Sequence, residues 1–231
     1  MGPLALVGSG EYTPAMLEVE AGLLAGRPPR YVQIPTAASA EGPERLAYWV
    51  QLGQAQAARL GVEAVPLVVR TREEAADPAI VAQVAGAGLI YLSGGSPTLL
   101  ARVLRDTPLW SAIVDQWRAG AALAGCSAGA MAMAALVPEL REPGHPGEPG
   151  LGLLPHIRVL PHFDRVLEWI PDVLNRPYYR AEGGHLVGID EDTAIIGGPE
   201  TFTVAGRQSA WLLRDGTRHE YKAGDQLTLA R

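Results

Sequence analysis

A single cysteine, Cys126, stands in the whole chain, which excludes an internal disulfide and any cysteine-rich zinc site. Lysine is almost missing as well. Lys222 is alone among the 19 basic residues, and the excess of arginine is a coding bias without functional content. No basic run occurs, and the net charge of −6 argues against nucleic acid or an anionic membrane surface as a partner. Long apolar runs are also lacking. The N-terminal run Leu4-Ala5-Leu6-Val7 has no basic flank and stops at Gly8, too short for a signal peptide, and nothing elsewhere approaches a membrane span. A cytoplasmic location is therefore the expectation. Neither a zinc-ligand spacing nor a Gly-x-x-x-x-Gly-Lys phosphate loop nor an internal repeat is present, so no metal and no cofactor are expected.

What remains is ordinary globular material, 48% apolar and 19% charged over 231 residues, and its length suits one α/β domain spanning 1–231 better than two small ones. Strand-like runs alternate with helical ones. Leu4–Val7 runs into the turn Gly8-Ser9-Gly10-Glu11, and Thr13-Pro14 opens a helix over 14–25. Tyr31–Ile34 is a second strand. Residues 43–60 carry an apolar helical face that ends at Gly61, and 62–69 reads as a third strand. Asp77-Pro78, Ser96-Pro97 and Thr107-Pro108 are three further cap-and-proline helix starts. Between them, Leu89–Leu92 is a fourth strand and ends in Ser93-Gly94-Gly95-Ser96. Trp110 and Trp117 fall at helical spacing and belong to the core. This βαβ order predicts a parallel sheet with helices on both faces and the active residues at the carboxyl ends of its strands. The C-terminal third, with runs at 194–196, 201–204, 210–213 and 226–229, reads as short antiparallel strands finishing the sheet. Residues 138–150, rich in proline and glycine, form a surface loop in which His145 is solvated.

One stretch stands out. Ala121–Ala124 is an apolar strand that meets Gly125-Cys126-Ser127-Ala128-Gly129 and then a small-residue helix. That is the Gly-x-Ser-x-Gly pattern of a nucleophile on a sharp strand-to-helix turn. The flanking glycines let strand and helix approach, and the turn lifts the Ser127 hydroxyl toward free N–H groups at the helix start. A serine needs a base, and the base needs a group to orient it. Of the five histidines, His162 in Pro161-His162-Phe163 lies at the exit of the run Ile157–Leu160, whereas His185 belongs to the opposite end of its strand. Asp190, Glu191 and Asp192 supply three acid candidates. Strand alternation puts Glu191 on the face opposite its two neighbours, so the spacing allows either Glu191 or one of the aspartates.

The combination of Gly94-Gly95, Gly125-Cys126-Ser127-Ala128-Gly129-Ala130, Pro161-His162-Phe163 and Gly188-Ile189-Asp190-Glu191-Asp192-Thr193-Ala194 resembles the cyanophycinase and aspartyl dipeptidase (dipeptidase E) family of serine peptidases. The likeness extends from the first strand to about residue 198. It implies a class I glutamine amidotransferase-like fold, a three-layer α/β/α sandwich around a mostly parallel sheet. It also implies Ser127 as nucleophile, His162 as base and Glu191 as the orienting acid, with the N–H groups of Gly95 and Ala128 as the oxyanion hole and no metal. Gly94, Ser96 and Arg165 are the candidates for substrate contacts, and Arg176 and Arg180 are further arginines suited to a substrate carboxylate. Cyanophycinases carry Asp-Gln before the catalytic histidine and an arginine-rich stretch after it. This chain has Leu160-Pro161 before His162 and only Arg165 soon after, closer to the dipeptidase branch. The expected partner is a small peptide. A homodimer is compatible with the sequence, which does not define the oligomeric state.

Three other readings compete. An α/β-hydrolase esterase shares the serine pattern but orders its triad serine, acid, histidine, for which Asp172 or Asp190 with His219 would serve. A cysteine-dependent amidotransferase would use Cys126, yet Cys126 occupies the x position and points into the core. A binding protein without catalysis on the same scaffold is the third.

Overall fold

The computed structural model describes residues 1–139, 142, 144–169, 172–180, 184–214 and 216–230, with the backbone alone at 167 and 180. Its first half alternates as the spacing predicts. β1 (Leu4–Val7) is followed, after a short 3-10 turn from Pro14, by α1 (Leu17–Leu24). Then come β2 (Arg30–Ile34), α2 (Pro43–Leu60), β3 (Glu63–Pro66), α3 (Pro78–Val81) and β4 (Leu89–Leu92). α4 (Pro97–Leu104), α5 (Pro108–Arg118), β5 (Ala122–Cys126) and α6 (Ala128–Ala132) complete this half. The caps are physical: Asp77, Ser96 and Thr107 accept the N–H groups of Ala79, Leu99 and Trp110, each with proline next in line, where its missing N–H would have had no helical acceptor. α2 stops at Gly61, whose φ of +69° is the left-handed cap. β3 is shorter than the 62–69 predicted, because it ends at Pro66, which has no N–H to continue a ladder.

The second half holds β6 (Leu136–Val137), β7 (Glu148–Pro149), β8 (Ile157–Pro161), α7 (Phe163–Trp169), α8 (Pro177–Arg180), β9 (His185–Ile189) and β10 (Thr193–Gly197). After these come β11 (Thr201–Gly206), β12 (Ala210–Arg214), β13 (Thr217–Tyr221) and β14 (Gln226–Thr228). The predicted loop over 138–150 therefore includes a strand, β7, paired with β6, and residues 140, 141 and 143 of it lie outside the described residues.

The main sheet has the order β14-β11-β10-β1-β5-β4-β2-β3. Its pairings from β1 through β5, β4 and β2 to β3 are parallel, and those of β1 with β10, β10 with β11 and β11 with β14 are antiparallel. Both faces of the parallel half are buried. Leu4, Leu6, Val32, Ile34, Ile90 and Leu123 join one core with α4, α5 and α6. Ala5, Val7, Tyr31, Tyr91, Ala124 and Cys126 join the other with α1 and α2. This alternation is what a sheet covered on both sides needs, and burying each of the large aliphatic side chains contributes about 1.5–3 kcal/mol. Trp110 and Trp117 are core residues, as expected.

The C-terminal runs do not all finish this sheet. Those at 194–196, 201–204 and 226–229 do, but 210–213 joins a second sheet of order β13-β12-β9-β8. The cause is the turn at Asp190–Asp192, where Asp192 takes φ +50° and passes the chain from β9 in one sheet to β10 in the other. One face of the second sheet, Ile157, Val159, Val187 and Ile189, packs into the core that also contains Met131 and Met133. The other, with Leu160 and Leu186, packs against Phe163, Val166 and Tyr178. The small sheet is thus seated on the helix that follows β5.

Candidate active site

Ser127 takes φ +48° and ψ −108°, a conformation that L-residues rarely adopt and that costs of order 1–3 kcal/mol. Its neighbours hold it there. Ser127 N–H donates to Val7 O at 2.9 Å, and Ser127 O accepts Met131 N–H at 3.0 Å. The flanking glycines are needed for contact. A Cβ on Gly125 would lie 2.5 Å from the Gly129 carbonyl carbon, and one on Gly129 would collide with Leu92 O. Strand and helix therefore meet backbone to backbone, and the serine hydroxyl is the group that projects.

His162 leaves β8 with φ +51°, a second strained residue, and its carbonyl accepts the N–H groups of Arg165 and Val166 at 2.9 and 2.6 Å to start α7. This swings the imidazole across to the serine. His162 Nε2 stands 3.2 Å from Ser127 Oγ, and His162 Nδ1 stands 2.9 Å from Glu191 Oε1. The three residues come from β5, β8 and the β9–β10 turn. Both His162 and Glu191 are partly open to solvent, at 28% and 33% side-chain exposure.

The three acids point in different directions, for a reason other than strand alternation. Asp190, Glu191 and Asp192 lie in a turn rather than along a strand, so it is turn geometry and not pleat alternation that separates them. Asp190 is buried and accepts Trp211 Nε1–H at 3.0 Å and Ser209 N–H at 3.1 Å; burial raises its carboxyl above the usual range. Asp192 lies 3.7 Å from Arg207. Glu191 alone faces the histidine. Its backbone is held from both sides: Asp164 Oδ1 accepts Glu191 N–H at 2.9 Å, and Gln208 Nε2 donates to Glu191 O at 3.0 Å.

The turn after β4 closes the site. Gly94 N–H donates to Glu11 Oε1 at 2.9 Å and Ser96 N–H to Ala37 O at 2.9 Å. Gly95 between them has φ +131°, and a Cβ there would run into Ala37 O. A cavity of about 460 Å³ opens beside this turn, lined by Ala37, Glu41, Gly95, Ser96, Thr98 and Arg102 among others. Ser96 caps α4 through its hydroxyl while lining that cavity.

Other sequence candidates are not brought together. His219 is exposed on β13 beside Thr217, Asp190 is occupied by Trp211, and the histidine that meets Ser127 is His162. Cys126 is fully buried, and its thiol donates to Glu11 Oε2 at 2.8 Å. Burial first, and the Glu11 carboxylate second, push its ionisation well above the ordinary thiol value, the opposite of what a nucleophile needs. Arg165 is half-exposed on α7, 3.8 Å from Glu168 and 3.9 Å from Asp164. The side chain of Arg180 lies outside the described residues.

Sequence reasoning missed Glu11, Asp164, Gln208 and Trp169. The Trp169 ring centroid lies 5.7 Å from that of His162, and the residue is 60% exposed. Only Glu11 had a signal, its place at the end of a glycine turn that leaves a strand. Among the described residues no group of three or more His, Cys, Asp or Glu is placed to hold a metal. Among the same residues no helix is long and apolar enough to cross a membrane.

The three layers, the mostly parallel sheet and the serine turn at its carboxyl edge define a class I glutamine amidotransferase-like fold. The sequence model of peptidase family S51 matches residues 4–204, and the chain belongs to that family. A cyanophycinase of Nostoc sp. is 32% identical over 152 residues, covering 59% of this chain and 48% of the relative; the chain spans about half the length of the curated relatives it matches. The crystal structure of a peptidase from an acI-B1 Actinobacterium superposes with a TM-score of 0.91 at 41% identity, covering 99% of this chain and 97% of that one. A candidate peptidase E from Listeria monocytogenes shares the fold at a TM-score of 0.62 and 21% identity, over 90% of this chain and 98% of its own.

Proposed function

We propose that the chain is a serine-type peptidase, acting as a single α/β unit, that cleaves a small peptide or isopeptide amide through an acyl-enzyme on Ser127. The observation that carries this reading is the continuous contact from Ser127 Oγ through both nitrogens of His162 to Glu191, at 3.2 and 2.9 Å. His162 Nε2 takes the hydroxyl proton as Ser127 Oγ attacks the substrate carbonyl. Glu191 holds the proton on Nδ1, which leaves Nε2 free to accept, and stabilises the imidazolium that forms. The tetrahedral oxyanion rests on the N–H groups of Gly95 and Ala128. His162 then returns its proton to the departing amine, and water repeats the sequence to release the acid. Family membership supports peptide chemistry. Leu160-Pro161 before His162 favours a dipeptide over the Asp/Arg polymer that the cyanophycinase name denotes, and the cavity beside Gly95 suits a small substrate, with Ser96 among its contacts.

The test is a fluorophosphonate probe followed by peptide mapping, with aspartyl dipeptides assayed in parallel. Labelling is expected on Ser127, and Ser127→Ala should lose both labelling and turnover. Labelling elsewhere, or turnover that survives Ser127→Ala, would end this reading.

A further inference from the structure

Glu11 has no part in the reaction just described, yet its carboxylate is committed to two different strand exits. Oε1 accepts Gly94 N–H, in the turn after β4, at 2.9 Å. Oε2 accepts the thiol of Cys126, the last residue of β5 and the chain neighbour of Ser127, at 2.8 Å. These are the two exits that carry the Gly95 and Ala128 amides. Gly95 is next to Gly94, and Ala128 is two residues past Cys126. With Gly94 N–H on Glu11 and Ser96 N–H on Ala37 O, the peptides on either side of the Gly95 amide are both anchored. The contact is close: a Cβ on Gly94 would lie 2.6 Å from Glu11 Oε1 and 3.6 Å from Ser127 Cβ, so carboxylate, turn and nucleophile meet with no side chain between them.

We infer that Glu11 is a positioning residue whose carboxylate clamps the two halves of the oxyanion hole in register through Gly94 and Cys126. The inference rests on the peptidase reading above. A carboxylate suits this task because it offers an acceptor oxygen to each of two donors, and its bonds to N–H and S–H are charge-assisted. It also gives Cys126 a function that core packing alone does not. Burial and the Glu11 charge keep the thiol protonated, and only the protonated thiol can donate.

The experiment measures the rate of Ser127 phosphonylation by a fluorophosphonate across pH. In that reaction Ser127 Oγ displaces fluoride at phosphorus, and the phosphonyl oxygen occupies the oxyanion donors. Glutamine keeps an acceptor oxygen at one of the two positions and turns an N–H donor toward the other, so Glu11→Gln loses the paired acceptance and should slow labelling by about 10–100-fold, a fraction of the loss from deleting an oxyanion donor outright. The midpoint of its pH profile should stay where it is, since His162 and Glu191 are untouched. Cys126→Ala should slow labelling by roughly 3–10-fold, and Cys126→Ser, whose hydroxyl can donate in place of the thiol, should restore it. The double variant Glu11→Gln/Cys126→Ala should be no slower than Glu11→Gln alone, because the thiol acts only through the carboxylate. Wild-type rates in Glu11→Gln, or Cys126→Ser as slow as Cys126→Ala, or additive losses in the double variant, would each overturn the clamp. If Glu11→Gln does not fold, the two Cys126 variants decide alone. An unlabelled wild type removes the peptidase reading and the clamp together, whereas a labelled wild type with unaffected variants removes only the clamp.

Discussion

The two sheets contribute to the site in different ways. The main sheet holds Ser127 through backbone: a strained φ, an amide bonded to Val7 O, and glycines where Gly125 meets Gly129. Every residue of β5 is buried. The small sheet holds His162 and Glu191 through side chains at its rim, where Asp164 and Gln208 secure the Glu191 backbone and both His162 and Glu191 remain partly exposed. In the proposed reaction a nucleophile gains from being immovable, and a base that takes and returns a proton gains from contact with substrate and solvent. The contrast also predicts where variation is tolerated: packing changes on the main sheet should unfold the protein before they tune it, while changes at the small sheet's rim should alter rate with the fold intact.

Largest is the expected effect at the acid. Glu191→Gln keeps the volume but no longer fixes the imidazole tautomer, and kcat should fall by on the order of 10²–10⁴ with an unchanged Tm. Asp190→Asn, which touches Trp211 and Ser209 instead of His162, should cost far less in kcat. Steady-state kinetics and melting of both variants decide the matter, and a crippled Asp190→Asn beside a near-normal Glu191→Gln would mean that the acid has been misassigned.

Next comes the main sheet's side. Glu20 on α1 is 1% exposed, and burial, opposed in part by Gln56 and Tyr31 beside it, raises its carboxyl from 4.5 to about 7. The folded state then keeps a proton that the unfolded state has released, so stability should fall as pH rises from 4.5 to about 7 and then level off. The difference amounts to about 3 kcal/mol at 1.36 kcal/mol per unit. Glu20→Gln should abolish most of it, as measured by denaturant unfolding at pH 5 and pH 8. An unchanged pH dependence in that variant would place the titration elsewhere.

The smallest effect returns to the rim. Asp164→Ala removes the acceptors of Glu191 N–H and of Gln208 Nε2 and should lower kcat by about tenfold, the worth of one charge-assisted hydrogen bond, with KM little changed. A rise in KM at constant kcat would assign Asp164 to substrate binding instead.

Much of this was legible in the chain. Three of the helix starts, Asp77-Pro78, Ser96-Pro97 and Thr107-Pro108, are local chemistry, and each cap bond forms as the residue types require. The glycine turns after β1, β4 and β5 fall on one edge because parallel strands all end on the same side. The second sheet was not legible. Residues 210–213 have the same apolar texture as the strands of the main sheet, and nothing local says which ladder they join. Asp164 and Gln208 were missed for the same reason, since their partner, Glu191, is 27 and 17 residues away along the chain.

By itself, the sequence determined the order of elements, their caps, the serine turn and the residue types from which a base and an acid had to come. Each follows from backbone sterics and hydrogen bonding within a few neighbours. Only the tertiary structure decided that His162 meets Ser127 from another sheet, that Glu191 and not Asp190 or Asp192 lies behind it, and that Glu11 reaches both Gly94 and Cys126. Those contacts join residues 29 to 115 positions apart. They exist because the small sheet docks on the helix after β5 and because the turn at Asp190–Asp192 sends its three carboxylates in three directions, outcomes of packing that no local pattern encodes.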